Sequence, residues 1–369
     1  MKLNGHRRPA PLVALAAAAL VLAGCGGSSG GESADGRDRI RLGIGSPSWN
    51  AGYATLAVSE ARGYFAKENL DVDVQLFPSG TQVAQQVVSG QIDVGLVTPE
   101  PVVIGHTKNT GLTYFAQYWT RWIYSLKIPE NSSITSPADL KGKRVGVTAV
   151  ASSGGTFART AMKMQGLDPE SVKLVPIGAG AEQLNAIKSG KVDALALWDT
   201  QYQIVENSGA KLKPLPVPGT ENLFGGGFAV RKDDLRKKQD LLVRLGRAFA
   251  KGVAFSEAAP EAAVGDLWKL HPETKGASSI PEDQLLAGQV KVLKVRLDGQ
   301  KVGPGEGDRW GAIDPAAVTG TLRFMTTAGL IDKEFPATDI YTDDLIAKIN
   351  AFSYDEVRTE AKKAASHGA

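Results

Sequence analysis

Apolar residues alternate at Ile40, Leu42 and Ile44 within Arg39–Gly45, the period of a strand. Over Tyr53–Lys67 they shift to Leu56, Val58, Ala61, Tyr64 and Phe65, closer to helical spacing. Val72, Val74 and Leu76 predict a second strand and Gly80–Ser89 a short helix. Ile92–Val97 is a continuous apolar run, as expected for a strand covered on both faces. The order strand, helix, strand, helix, strand predicts a parallel sheet with right-handed crossovers.

The same order then returns. Arg144–Thr148, Val172–Pro176 and Val192–Leu197 read as strands, with helices at Ser153–Gly166 and Ala181–Ser189. Ser89–Val97 is SGQIDVGLV and Ser189–Leu197 is SGKVDALAL, an offset of 100 residues. At that offset Val72 and Val74 fall on Val172 and Leu174, Gly80 on Gly180, and Val87 on Ile187. A duplicated α/β unit predicts two similar lobes with something held between them. The shared Asp93 and Asp193 are expected to serve the turn and strand. Specificity is expected where the copies stop agreeing.

Between the copies, Tyr114–Ile128 is rich in aromatics; after them, Phe224–Val230 reads FGGGFAV. Both are candidate crossings between lobes. Gly225–Gly227 either absorb a hinge rotation or form an ordinary loop feeding a strand. From Asp234 onward the pattern is mostly helical, with amphipathic stretches at Leu241–Ala254 and Ala316–Ala328. Asp314 and Pro315 fit an N-cap and first helical residue. This tail is expected to pack back on the first lobe.

The chain has 369 residues, 43% hydrophobic and 22% charged, enough for two domains with real cores. Its first 24 residues read as a secretory signal: Lys2, Arg7 and Arg8, then the apolar run Leu12–Leu22. That run is shorter than the roughly 20 residues of a membrane span. Leu22-Ala23-Gly24-Cys25 ends it, and Cys25 is the only cysteine. No disulfide is therefore possible within the chain, and Cys25 is better explained as an anchor than as a structural or catalytic thiol. Cleavage removes three of the 42 basic residues and leaves the mature chain formally neutral against 39 acidic ones. Nothing in that balance supports nucleic-acid binding. Residues 25–38 are expected to form a flexible tether, since Gly26–Gly36 reads GGSSGGESADG.

In open α/β sheets, ligands bind beyond the carboxyl ends of the strands. The first such loop contains Trp49 and Asn50; Trp49 either walls a ligand or packs on its own loop. The matching loop of the second copy is Ser152-Ser153-Gly154-Gly155-Thr156, leading straight into a helix. It is either an anion site of backbone N–H groups and hydroxyls or a simple N-cap with permissive glycines. It is not a nucleotide P-loop, because no Gly-Lys-Ser/Thr follows. The repeats end in Thr98-Pro99-Glu100 and Trp198-Asp199-Thr200. Glu100 and Asp199 are either acceptors for an amine or solvated loop carboxylates, and Trp198 is a candidate stacking surface. Tyr118, Trp119, Arg121, Trp122 and Tyr124 form an aromatic and cationic cluster. Strand alternation would put Trp119 and Arg121 on one face, Trp122 and Tyr124 on the other. The four histidines, His6, His106, His271 and His367, have no neighbour at metal-ligand spacing, and no catalytic motif is present. No metal or cofactor is expected.

Several of these stretches match a known family. Gly63–Leu70 (GYFAKENL), Ser89–Val97, Ser136–Val147 (SPADLKGKRVGV) and Ser189–Asp199 together resemble the periplasmic solute-binding proteins of ABC importers in the nitrate, sulfonate and taurine group. That group includes binding proteins related to thiamine-pyrimidine synthases. L-A-G-C resembles the lipobox of bacterial lipoproteins, whose cysteine is diacylated. The resemblance covers Arg39–Arg231 well and the tail loosely. It implies an α/β fold of type II periplasmic-binding-protein form, a clamshell of two doubly wound lobes joined by two crossings. The first lobe would span 39–125 and 225–369, and the second 126–224. It implies ligand contacts near Trp49, at Thr98 to Glu100, at Ser152–Thr156, and at Trp198 and Asp199; Asn50, Trp119 and Gly226 are further ligand-binding candidates from the residues themselves. Thr98 and Glu100 stand where sulfonate and nitrate members often carry small residues, which argues against a simple inorganic oxoanion; an amphoteric or aromatic acid fits the aromatic content better. The expected protein is a monomeric receptor, lipid-anchored on Cys25 at the outer face of the cell membrane. It would pass a small organic anion (a sulfonate, a taurine-like acid or an aromatic carboxylate) to an ABC permease and its ATPase. The alternatives are a receptor for a thiamine-precursor pyrimidine, a sensory receptor, and a synthase-type enzyme. The enzyme is disfavoured because the body has no cysteine.

Overall fold

The structure is a computed structural model that describes residues 36–300 and 309–366. The leader, Cys25 and the tether through Asp35 lie outside the described residues. Among the described residues no helix is long and apolar enough to cross a membrane.

The first lobe opens with β1 (Asp38–Ile44), whose Ile40, Leu42 and Ile44 are buried. Two short helices follow, α1 (Ala54–Ala61) and α2 (Tyr64–Lys67). The helical pattern over 53–67 is broken at Gly63, which adopts the left-handed φ of 67°. Then come β2 (Leu70–Leu76), α3 (Gly80–Ser89), β3 (Val94–Val97), α4 (Pro99–Thr107) and β4 (Leu112–Gln117). The chain crosses to the second lobe through β5 (Tyr124–Pro129). It continues with β6 (Arg144–Val147), α5 (Ser153–Met164), β7 (Lys173–Pro176), α6 (Ala181–Lys188), β8 (Ala194–Trp198), α7 (Asp199–Asn207) and β9 (Leu212–Leu215). It returns through β10 (Gly227–Arg231).

Two five-stranded sheets result, ordered β2-β1-β3-β10-β4 and β7-β6-β8-β5-β9. The first three strands of each are parallel, as the β-α-β reading requires. The fourth position is antiparallel and exchanged: β10 enters the first sheet and β5 the second. The two crossings are thus built into the sheets they enter.

The repeated Ser-Gly-x-x-Asp motif has a structural explanation. Gly90 and Gly190 follow α3 and α6 with left-handed φ of 79° and 67°, which end the helices without a Cβ clash. Three residues on, Asp93 accepts the amide of Arg41 at 3.0 Å and its guanidinium at 2.9 and 3.1 Å. Asp193 accepts the amide of Arg144 at 2.8 Å and its guanidinium at 3.1 and 2.7 Å. Each aspartate stitches the third strand of its lobe to the first. This is the turn-and-strand role expected of both.

The tail is helical: α8 (Lys232–Lys237), α9 (Gln239–Ala258), α10 (Pro260–Leu270), α11 (Glu282–Asp298), α12 (Pro315–Thr327), α13 (Ile346–Ile349) and α14 (Tyr354–Ser366). α9 and α10 pack on α1 of the first lobe. Arg62 pairs with Asp266 at 2.6 Å, and Arg247 and Lys251 hold Glu68 at 2.9 and 2.7 Å. Asp314 caps α12 through the amide of Ala316 at 2.8 Å, with Pro315 as its first residue. α11 departs from the expected docking. It also lies against α7 of the second lobe, so the tail bridges the lobes there.

The strand alternation expected over Tyr118–Tyr124 does not form. Residues 118–123 are irregular and β5 starts at Tyr124. The cause is the neighbouring crossing. The Gly226 carbonyl accepts the amides of both Tyr118 and Trp119, at 3.1 and 3.2 Å, which ends the ladder with β10. A Cβ on Gly225 would lie 2.2 Å from the Arg121 carbonyl, so the two crossings run side by side with no room for a side chain.

Candidate functional site

The carboxyl ends of the parallel strands in both lobes face one cleft. β3 runs directly into α4 and β8 into α7, so Thr98 and Trp198 stand at helix starts. Their first-turn carboxylates are withdrawn from solvent: Glu100 is buried and the Asp199 side chain is only 14% exposed. Each is the centre of a polar cluster.

The first cluster joins the lobes. The hydroxyls of Thr98 and Ser153 are 2.8 Å apart, and Ser153 Oγ donates to Glu100 Oε2 at 3.3 Å. Burial pushes the Glu100 carboxyl up to about 7, against the pull of its own amide, Thr98 and Ser153. Tyr124 lies above this group; burial and the Glu100 charge push its hydroxyl upward.

The start of α5 explains its small residues. Ser152 accepts the amide of Gly155 at 3.4 Å, an N-cap bond. A Cβ on Gly154 would lie 2.2 Å from the Ala196 carbonyl, and one on Gly155 2.4 Å from the Val150 carbonyl. Both glycines are required by close packing within the second lobe. Thr156 faces a small cavity bounded by Glu100, Trp122, Thr160 and Phe324.

The second cluster is centred on Asp199. Its Oδ1 accepts the amide of Thr200 at 2.7 Å and Nη2 of Arg296 at 2.8 Å. The Trp198 indole donates to Thr200 Oγ1 at 2.9 Å. Arg296, on α11, is 1% exposed and its guanidinium lies 5.4 Å from the Trp119 ring centroid. Burial raises the Asp199 carboxyl, and Arg296 opposes the rise. Tyr53 and Tyr118 line the same space; burial pushes Tyr53 up to about 12, with Arg296 again opposing. Tyr118 shares a hydrogen bond with Thr55 at 3.0 Å. Tyr124 meets Trp198 edge-on at 6.0 Å and so links the two clusters.

Trp49 lies outside both clusters. It stacks on His271 of the tail, with ring centroids 3.9 Å apart and planes 19° from parallel. Beside it runs a cavity of about 580 Å³ between the lobes, lined by Trp49, Asn50, Gln201, Gln289 and Val292 among others. Asn50 caps the turn at Gly52, whose amide it accepts at 2.9 Å. Gly226 sits where the crossings meet, with φ of 101° and space for no side chain: a Cβ would lie 2.3 Å from the Val97 carbonyl. The structure thus brings Thr98, Glu100 and Ser153 together, and Trp119, Trp198 and Asp199 together.

Arg296 lies outside the candidate residues of the sequence reading, although the sequence holds a signal for it. It follows Val292 by four residues and Leu293 by three, which puts a cation on the buried face of a helix. Among the described residues no group of three His, Cys, Asp or Glu side chains is placed to hold a metal.

The family described as NMT1/THI5 like matches residues 50–263, more than half of the chain. The taurine-binding periplasmic protein of Escherichia coli K12 is 25% identical over 259 residues, which cover 67% of this chain and 78% of that protein. The periplasmic aliphatic sulphonate binding protein of Escherichia coli superposes with a TM-score of 0.59 at 18% identity, over 82% of this chain and 91% of that one. The nitrate-binding protein of Synechocystis PCC 6803 gives 0.58 at 14% identity, over 89% and 97%. The two-lobed architecture is therefore the periplasmic-binding-protein fold expected from sequence.

Proposed function

The chain belongs to the NMT1/THI5-like family, and on that footing we propose that it is the solute-capturing component of an ABC importer. It would take a small organic anion, a sulfonate, a taurine-like acid or an aromatic carboxylate. The observation that carries this reading is the cleft itself. Strand ends of both lobes converge on polar groups withdrawn from solvent, Thr98, Glu100 and Ser153 at one end and Asp199 and Arg296 at the other. Aromatic rings of Tyr53, Tyr124 and Trp198 lie between them. Such a site holds a short ligand by its ends and covers its middle.

Closure of the lobes buries the ligand, and the permease distinguishes the closed form from the open one. The ligand leaves chemically unchanged. The protein acts outside the cytoplasm, held to the outer face of the membrane by a lipid on Cys25, and works as a monomer. A thermal-shift panel of sulfonates, aromatic carboxylates, pyrimidines and nitrate, followed by calorimetry on each hit, tests the reading. A sulfonate or carboxylate hit supports it; a pyrimidine hit transfers the role to a heterocycle receptor. A panel with no hit overturns it.

A further inference from the structure

The contact between the lobes at Glu100 encloses a carboxyl without a counter-charge. Glu100, on α4 of the first lobe, is 6% exposed and borders a cavity of about 10 Å³, at the lower limit for a single water. The walls come from three parts of the chain. Phe157 and Thr160 belong to α5 of the second lobe, Phe324 and Met325 to α12 of the tail, and Trp122 to the crossing. Trp122 Nε1 and Thr160 Oγ1 have no hydrogen-bond partner among the described residues, so neither serves the carboxyl. The groups that do meet Glu100 are neutral: its own amide, Thr98 and Ser153.

Among the described residues no cation pairs with it, from any element packed there. On α4 itself, His106 faces Asp339 at 3.6 Å. On α5, Arg159 donates to Glu170 at 2.9 Å and Lys163 is exposed. On α12, Arg323 lies 4.0 Å from Glu334. In the crossings, Arg121 is exposed and acts on Asp199 instead, and Glu221 is exposed. The remaining titratable neighbours are the buried phenols of Tyr114 and Tyr124, whose hydroxyls are pushed upward by burial and by the Glu100 charge. An ionised Glu100 would be a lone charge cut off from water, a state that buried carboxylates leave by taking up a proton.

That enclosure lasts while the lobes meet. Ser153, Thr156, Phe157 and Thr160 all belong to the second lobe, so parting the lobes withdraws them together and lets water reach Glu100. The carboxyl then ionises as an exposed glutamate does. We propose that Glu100 is a proton-operated latch: closing the lobes takes one proton from solvent onto its carboxylate, and opening returns that proton to solvent. The closed form holds the proton more tightly, so acid favours closure and base favours opening. The inference goes beyond solute capture, because it concerns the lobes alone and holds for any solute.

Small-angle scattering of the solute-free full chain tests it. From about pH 5 to about pH 8 the wild type is expected to expand, its closed-to-open ratio falling by up to about tenfold per pH unit until Glu100 is ionised in both forms. Glu100→Gln, a neutral mimic of the protonated acid, is expected to keep the compact dimensions throughout. Infrared spectroscopy of the wild type keeps the test decisive if that variant does not fold. The carbonyl stretch of a protonated carboxylic acid is expected at about pH 6 and should vanish by about pH 8 as the particle expands. A wild-type radius that does not change with pH overturns the latch. So does an expansion that persists in Glu100→Gln, or the absence of the acid band at the lower pH. None of these results bears on the solute panel, so the two readings fail separately.

Discussion

The hydroxyl groups of Thr98 and Ser153 meet at 2.8 Å, one from each lobe, and Ser153 also reaches Glu100. These bonds latch the lobes together at the floor of the cleft. Thr98→Val keeps the shape and removes one of them. A loss of about 1 kcal/mol in urea unfolding is expected, since Ser153 keeps Glu100 as an acceptor. The ligand-free protein is also expected to scatter as a larger particle, because the closed form has lost part of its advantage. An unchanged radius of gyration means the hydroxyl pair does not hold the lobes.

Glu100 makes stability depend on pH. Its carboxyl is raised from an ordinary value of 4.5 to about 7 by burial. Below the lower value the group is protonated whether the chain is folded or not, and it contributes no pH dependence. Between the two values the folded protein keeps a proton that the unfolded chain releases, so stability falls as pH rises through that window. The fall levels off above about 7, after roughly 3 kcal/mol. Glu100→Gln removes this component, so wild type and variant should diverge between about pH 4.5 and pH 7 in chemical unfolding. Parallel curves refute the assignment.

Trp198 needs a gentler substitution than alanine. It is buried in the first lobe's core cluster, and truncation there costs about 3–5 kcal/mol whatever its role in binding. Trp198→Phe retains an aromatic ring and removes the indole bond to Thr200. We expect a folded protein with weaker binding of the tightest solute from the panel. Wild-type affinity in that variant would make Trp198 a packing residue.

Cys25→Ser tests the anchor. The variant should move from the membrane pellet to the soluble fraction on cell fractionation, because a single lipidated cysteine is the attachment proposed. Retention in the pellet removes the lipobox interpretation.

Much of the scaffold is legible in the chain because its rules are local. α3 begins and ends where the sequence predicts, since Ser79 supplies the cap and Gly90 the stop. The paired Asp93 and Asp193 follow from the same repeat. Two kinds of feature escape such reading. α4 and α7 follow strands without a polar loop, so Glu100 and Asp199 read as loop carboxylates although they are withdrawn from solvent at helix starts. Arg296 sits nearly a hundred positions from Asp199, and only tertiary packing of α11 against α7 brings them together. Trp49 reads as a ligand wall or as packing on its own loop, yet its partner, His271, comes from the tail.

β10 lies between β3 and β4, so the first lobe's sheet remains in two pieces until residue 231 has been made. β4 pairs with β10 on one side and bridges to Tyr341 through Tyr114 on the other, so both partners of β4 are made after the whole second lobe. Pairings that wait on so distant a partner form slowly. The first lobe's sheet is therefore completed only after the whole second lobe has been synthesised, so the two lobes are tied into one folding unit by the strand they exchange.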